Sequence, residues 1–230
     1  KLRALTSRQW GLVTVSAACL AAHFAFWITS LEHTSVASSV IIVTANPVLV
    51  AIGSKLLLRE GASPAVILGI GMALFGGLVI TVGDWEMGER RLYGDFLAFL
   101  GATAVAGYYI AGRSLRERLS LFGYIAPVYG IAAGILLVMV FVTGTDMVGF
   151  SLQTYGYLTL IGVVPQLVGH SSLNWSLGYL PATLVSTAVM AEPVGATLLA
   201  WAVLDEAPTL ATVAGGALVL AGVYVALRRR

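Results

Sequence analysis

Apolar runs of about twenty residues alternate along this chain with short polar punctuation, and Asp, Glu, Lys and Arg fall almost wholly within the punctuation. An α-helix that crosses a bilayer needs roughly 20 consecutive apolar residues. On that measure the pattern predicts eight membrane-spanning helices, at 11–31, 35–55, 64–83, 93–112, 121–143, 154–176, 181–204 and 208–227. The stretch from Met147 to Ala191 holds none of the four charged residue types yet exceeds one crossing, and Gly178 and Pro181 supply the break. Period-2 alternation with regular turns is missing, which argues against a β-barrel. The expected fold is all-α and polytopic.

The charges orient these helices. With residue 1 in the cytoplasm, Lys1, Arg3, Arg8, Lys55, Arg59, Arg113, Arg116, Arg118 and Arg228 to Arg230 fall inside. Only Arg90 and Arg91 of the 13 basic residues then lie outside, beside Glu32, Asp84, Glu86, Glu89, Asp146, Asp205 and Glu206. That split satisfies the positive-inside rule and places both ends of the chain in the cytoplasm. Composition agrees with this picture: 58% of the 230 residues are hydrophobic, 10% are charged, and mean hydropathy is +0.91. A soluble domain carries about 25% charged residues. The basic, then apolar N-terminus superficially suggests a signal peptide, but its apolar run is long and lacks a convincing small-residue cleavage site. The single cysteine, Cys19, lies in an apolar run and is expected to pack as a small hydrophobe.

An internal repeat emerges at a constant offset of 146. Leu31, Val43, Ala45, Pro47, Val48, Leu58, Glu60, Ala65, Gly69, Leu74, Gly76 and Val79 match Leu177, Val189, Ala191, Pro193, Val194, Leu204, Glu206, Ala211, Gly215, Leu220, Gly222 and Val225. Apolar bias alone does not explain a co-registered proline, a glutamate after the same helix end and a glycine pair spaced by seven. The glycine pairs are spaced to line one helix face and permit close packing. Helices one to three thus correspond to helices six to eight in opposite orientation. Secondary transporters are commonly built this way, with substrate held near the midplane between the halves. Helices four and five have no counterparts before residue 1, so the complete fold is expected to have ten spans, with two preceding this chain.

The helix ending in Leu-Arg-Glu at 58–60, its counterpart ending in Leu-Asp-Glu at 204–206, the mid-helix Glu192-Pro193 and the inverted repeat resemble the drug/metabolite transporter superfamily. The closest likeness is to its EamA-like branch of ten helices in a 5+5 inverted repeat. The resemblance implies that 1–83 comprise helices three to five of the first repeat and 84–230 the whole second repeat. It also implies export of amino acids or other small metabolites, or movement of nucleotide sugars or drugs. Asn46-Pro47 and Glu192-Pro193 would fall on the two helices that line the central cavity.

Glu192 is the only Asp, Glu, Lys or Arg near the middle of a span. A charge there is costly unless it is paired, protonated or facing water. It is expected to anchor a substrate amine or carry a proton, against the alternative of bonding backbone freed by Pro193. Gln166, His170 and Asn174 recur every four residues and so share a helix face. That face lines a cavity or glues helices together, and three such residues favour the cavity. His23 and Trp27 share a face of the first helix at the same spacing. The histidine is a candidate proton shuttle or a satisfied buried group, and the tryptophan a cavity wall or a belt residue. Of Tyr108 and Tyr109 one is expected to face the cavity, with Tyr108 taken as the candidate. Pro47, Pro165 and Pro193 are the expected kinks, and Trp10 and Trp85 mark interfaces.

Other function classes fit poorly. The chain lacks a G-x-x-x-x-G-K-[ST] loop for direct ATP coupling. An intramembrane enzyme needs clustered ligands or a nucleophile with its base, whereas the histidines are scattered at 23, 33 and 170. A retinal-type sensor needs a mid-membrane lysine, and Lys55 sits at a helix end. No metal, cofactor or nucleic-acid partner is expected. The expected partners are membrane lipid, a small-molecule substrate, protons as candidate coupling ions, and at most a second copy of the chain, as monomer or homodimer.

Overall fold

A computed structural model describes residues 5–81, 89–205 and 207–228. Lys1, Arg3, Asp84, Trp85, Glu86, Glu206, Arg229 and Arg230 lie outside the described residues. The described residues form eight helical rods, all-α as expected. Helix α1 is Ser7–Ser30, and α2 comprises Val36–Thr44, Asn46–Gly53 and a π-helical Ser54–Leu58. Helices α3, α4 and α5 are Pro64–Thr81, Glu89–Arg116 and Leu121–Thr143. Helix α6 runs through Leu152–Ile161, a π-helical Gly162–His170 and Ser171–Ser176. Helix α7 comprises Ala182–Val189 and Glu192–Leu204, and α8 is Leu210–Arg228. Among the described residues, six stretches are long and apolar enough to cross a membrane, and Pro64–Ile80 is a shorter apolar helix.

Helices α1 and α4 run beyond their expected bounds. Helix α1 starts earlier because Thr6 and Gln9 form a reciprocal capping box. Helix α4 overruns 93–112 at both ends, and at its C-terminal end the Arg116 guanidinium bonds carbonyls beyond the helix.

The apolar distribution suits a lipid solvent. Large side chains such as Phe122, Phe141, Leu152 and Leu199 point outward, while alanine, valine and tyrosine fill the core. That core joins α1, α4 and α5, with Leu20, Tyr108, Tyr109, Tyr124 and Val128 fully enclosed. A second, smaller core forms where α3 meets α8 around Ala73, Met190, Val219 and Val223.

The pairing of α3 with α8 shows the repeat directly. A Cβ on Gly76 would stand 2.6 Å from the Gly215 carbonyl, and one on Gly215 would stand 2.5 Å from the Gly76 carbonyl. Gly69 meets Gly222 in the same reciprocal manner. Under the 146 offset, Gly69 corresponds to Gly215 and Gly76 to Gly222, so each contact maps onto the other with partners exchanged. Exchange of this kind is what a twofold axis produces, and the two helices run antiparallel, so the axis lies across them. Backbone angles repeat as well. Arg59 (φ 60, ψ 23) and Asp205 (φ 60, ψ 21) are the left-handed caps that end equivalent helices. Ala45 (φ −74, ψ −1) and Ala191 (φ −75, ψ −10) form equivalent breaks.

The glycine contact leaves no room for a side chain. Gly76→Val is expected to destabilise the protein by about 1–3 kcal/mol through overpacking, read as a lower melting temperature in detergent. Gly71→Val, where a Cβ meets nothing within 4 Å, is the control and should change little.

Candidate functional site

The site begins with two missing backbone donors. Pro47 has no N–H to give the Val43 carbonyl four residues earlier, and Pro193 has none for Val189. The first rod breaks at Ala45, one residue before Asn46, and the second at Met190 and Ala191, just before Glu192. At the first break Val48 N–H bonds the Ala45 carbonyl at 3.2 Å, and at the second Val194 N–H bonds Ala191 at 3.1 Å. Asn46 repairs the first loss: its Nδ2 donates to the Val43 carbonyl at 2.9 Å. Pro165 behaves differently. It lies within the π-helical part of α6, where wider winding takes up the missing bond.

These breaks face a common cavity of about 580 Å³. Asn46 and Glu192, repeat equivalents, both line it. His23, Phe24 and Trp27 form the α1 wall, Tyr109 the α4 wall, Tyr129 the α5 wall, and Gln166 and His170 the α6 wall. Most of the remaining wall is aliphatic. The aromatic groups support one another. His23 stacks on Trp27 with ring centroids 5.6 Å apart, and Phe24 meets His170 edge-on at 5.6 Å. His23 Nδ1 lies 3.0 Å from the Gly101 carbonyl, which can only accept, so this nitrogen carries a proton.

Four wall residues present buried polar atoms with no hydrogen-bond partner among the described residues: Trp27 Nε1, Asn46 Oδ1, Gln166 Oε1 and His170 Nδ1. Buried polar groups are nearly always paired. One donor, two amide acceptors and an imidazole nitrogen around one cavity are therefore groups that a polar ligand or water would satisfy. Glu192 is exposed among the same walls.

Two expected wall residues stand behind the cavity instead. Tyr108 is fully buried, and Tyr109, a helix step of 100° away, faces inward. Asn174 is also fully buried. Its Nδ2 shares two hydrogens among three acceptors, the Tyr108 hydroxyl at 2.5 Å, the His170 carbonyl at 2.8 Å and the Tyr129 hydroxyl at 3.1 Å. Gln166 and His170 share the cavity, but Asn174, one turn further along, reaches the level where α6 packs between α4 and α5. Asn174 is the glue that holds the Tyr129 wall in place. Phe24 and Tyr129 are walls that the polar pattern did not single out, and Tyr109 is the one of the two adjacent tyrosines that lines the cavity.

At the bundle end beyond Asn174 several elements are tied together. Ser16 and the Tyr124 hydroxyl are 2.7 Å apart. Arg116 Nε donates to the Asn174 carbonyl at 2.8 Å, and its other arm caps Leu119. Arg113 reaches Glu60 at 2.8 Å, the Leu177 carbonyl at 3.1 Å and Glu117 at 3.1 Å. One cluster thus joins the ends of α2, α4 and α6. At the opposite end Asp95 accepts from Thr34 and Ser38 at 2.7 and 2.9 Å, fixing the α1–α2 turn.

Wall and glue separate by measurement. Asn174→Leu should cost about 1–3 kcal/mol, because it leaves the buried phenol of Tyr108 without its partner. Gln166→Leu removes an acceptor that has no partner among the described residues, and should leave the melting temperature within a degree or two while altering ligand binding.

Comparison with known proteins places this architecture. A solved crystal structure superposes with a TM-score of 0.80 at 22% sequence identity, covering 99% of this chain and 78% of that one. An uncharacterized transporter of Archaeoglobus fulgidus is 29% identical over 190 residues, covering 83% of this chain and 67% of its own length. The uncharacterized transporter YdfC of Bacillus subtilis is 22% identical over 206 residues, covering 87% of this chain and 66% of its own length. The chain therefore spans about two thirds of such relatives. With residues 1–82 and 92–228 matching its model, the chain belongs to the EamA-like transporter family and is a multi-pass membrane protein.

Proposed function

We propose that this protein is a secondary active transporter that exports a small amine-bearing metabolite, such as an amino acid, by alternating access. The observation that carries this reading is the cavity between the two inverted halves, to which each half contributes one polar residue beside a helix break, Asn46 and Glu192. A carboxylate is the natural partner of a substrate ammonium, and the unpaired Gln166 and Asn46 oxygens would accept from the same group. His23, Trp27, Phe24 and Tyr109 offer flat surfaces for an apolar or aromatic side chain. The charge distribution supports a cytoplasmic placement of both ends of the chain. In this reading the Glu60–Arg113–Arg116 cluster is the cytoplasmic closure and the opposite end of the bundle is the exit. Export requires this cluster to part so that substrate enters from within. Proton coupling would use Glu192, which cannot hold a proton and a substrate ammonium equally well.

Counterflow in proteoliposomes of the full-length protein, run with an amino-acid panel, tests the reading. Accelerated exchange of at least one amine-bearing substrate is the expected result. Glu192→Gln should keep the wild-type melting temperature and lose proton-driven flux by tenfold or more. Undiminished flux in that variant would remove Glu192 from the mechanism.

A further inference from the structure

The two repeats solve the same backbone problem with different chemistry. In the first, Pro47 deprives the Val43 carbonyl of its helical donor, and the Asn46 amide supplies one at 2.9 Å. In the second, Pro193 deprives Val189, the residue equivalent to Val43, and Glu192 stands where Asn46 stands. The flanking geometry is similar, although the preceding helical segment ends at Thr44 in the first and one register position earlier, at Val189, in the second. Ala45 and Ala191 share their backbone angles within ten degrees, and Val48 and Val194 make equivalent bonds to them. At the second break the N–H groups of Val194 and Gly195 both turn to the Ala191 carbonyl, at 3.1 and 3.2 Å. An amide carries donors at every pH, whereas a carboxyl group has a donor only when protonated.

We propose that the acid form of Glu192 donates its O–H to the Val189 carbonyl, completing across Pro193 the bond that Asn46 completes across Pro47. Protonation then stiffens the break in α7. Loss of the proton leaves a carboxylate that can only accept, repels the Val189 carbonyl and turns toward the cavity. The proton comes from and returns to water reaching the cavity, and no other group need change charge. The break of α2 is permanently latched, and that of α7 is a hinge under proton control.

The neighbours are compatible with one titrating group acting at this point. His23, His170, Tyr109 and Tyr129 share the cavity with Glu192, from α1, α6, α4 and α5. Among the titratable and charged side chains of α8, which packs on α7, Tyr224 and Arg228 pair with each other at 5.5 Å. Arg228 lies twelve residues beyond Gly216, the glycine that faces Val194, or roughly 18 Å along the helix. The Val36–Thr44 segment of α2, also packed on α7, carries no titratable side chain.

The hinge is independent of whether the protein transports, and rests on the transport reading only for its purpose. Hydrogen exchange of the purified full-length protein tests it, with rates corrected for intrinsic pH dependence and the 36–53 segment as internal reference. The expected result for wild type is about fivefold greater protection of Val194 and Gly195 in acid than in alkali, which is what one hydrogen bond of ordinary net strength supplies. Glu192→Gln should hold the higher protection at every pH, and Glu192→Ala the lower. The proposal is overturned if wild type shows no pH dependence relative to 36–53, or if Glu192→Gln keeps the wild-type pH profile. Should Glu192→Ala fail to fold, wild type and Glu192→Gln alone decide the matter. A pH-dependent hinge without counterflow would sink transport and leave the hinge standing.

Discussion

A helix inside a bilayer cannot hand an unpaired backbone carbonyl to water, so each proline in a span creates a debt that nearby protein must settle. Pro47 and Pro193 create that debt at equivalent positions of the repeat. Nearly everything distinctive about the site follows from how it is met. At these two prolines a polar side chain stands beside the ring, the helix breaks just before it, and that side chain lines the cavity. Asn46 supplies the missing donor at the first break, Glu192 stands in the equivalent position at the second, and both line the cavity.

Elsewhere the bundle converts that constraint into a shape. The reciprocal glycine contact of α3 and α8 brings two antiparallel backbones into direct touch, so that the halves are pinned at one seam. Small residues do this in lipid because dispersion contacts replace the hydrophobic drive available in water. The Arg113 and Arg116 cluster ties one end of the bundle together, and Asp95 secures the other. Asn174 links the tied end to the cavity by holding Tyr108 and Tyr129 together. These groups are rigid supports around two helices that are each interrupted at mid-depth.

Much of the fold was legible because charge is expensive in lipid: loop residues such as Arg59, Arg118 and Asp146 marked the helix ends. The repeat was legible for a similar reason, since Pro47 and Pro193 sit in register and the glycines repeat at the same interval. The π-helical course of 162–170 was not legible, because Pro165 signals a lost bond without saying how the winding absorbs it. Tyr108 and Tyr109 could not be told apart either. Adjacent residues differ only in the direction they face, and that direction is set by how α4 seats against α1 and α5. Asn174 shared the spacing of Gln166 and His170, yet its depth put it against two phenols. Phe24 and Tyr129 carried no polar signal, so an apolar cavity wall looked like any other apolar core.

The central claim is that the two helix breaks turn their polar residues toward one water-reachable cavity instead of toward lipid. Cysteine accessibility tests this most directly, using Glu192→Cys in a Cys19→Ser background, in sealed membranes with a charged, membrane-impermeant thiol reagent. The account predicts rapid labelling at position 192, from the side opposite the Arg113 cluster, and protection of that position when the cavity is filled by a bound substrate. Labelling by lipid-soluble reagents alone would place the side chain in the bilayer and contradict the account.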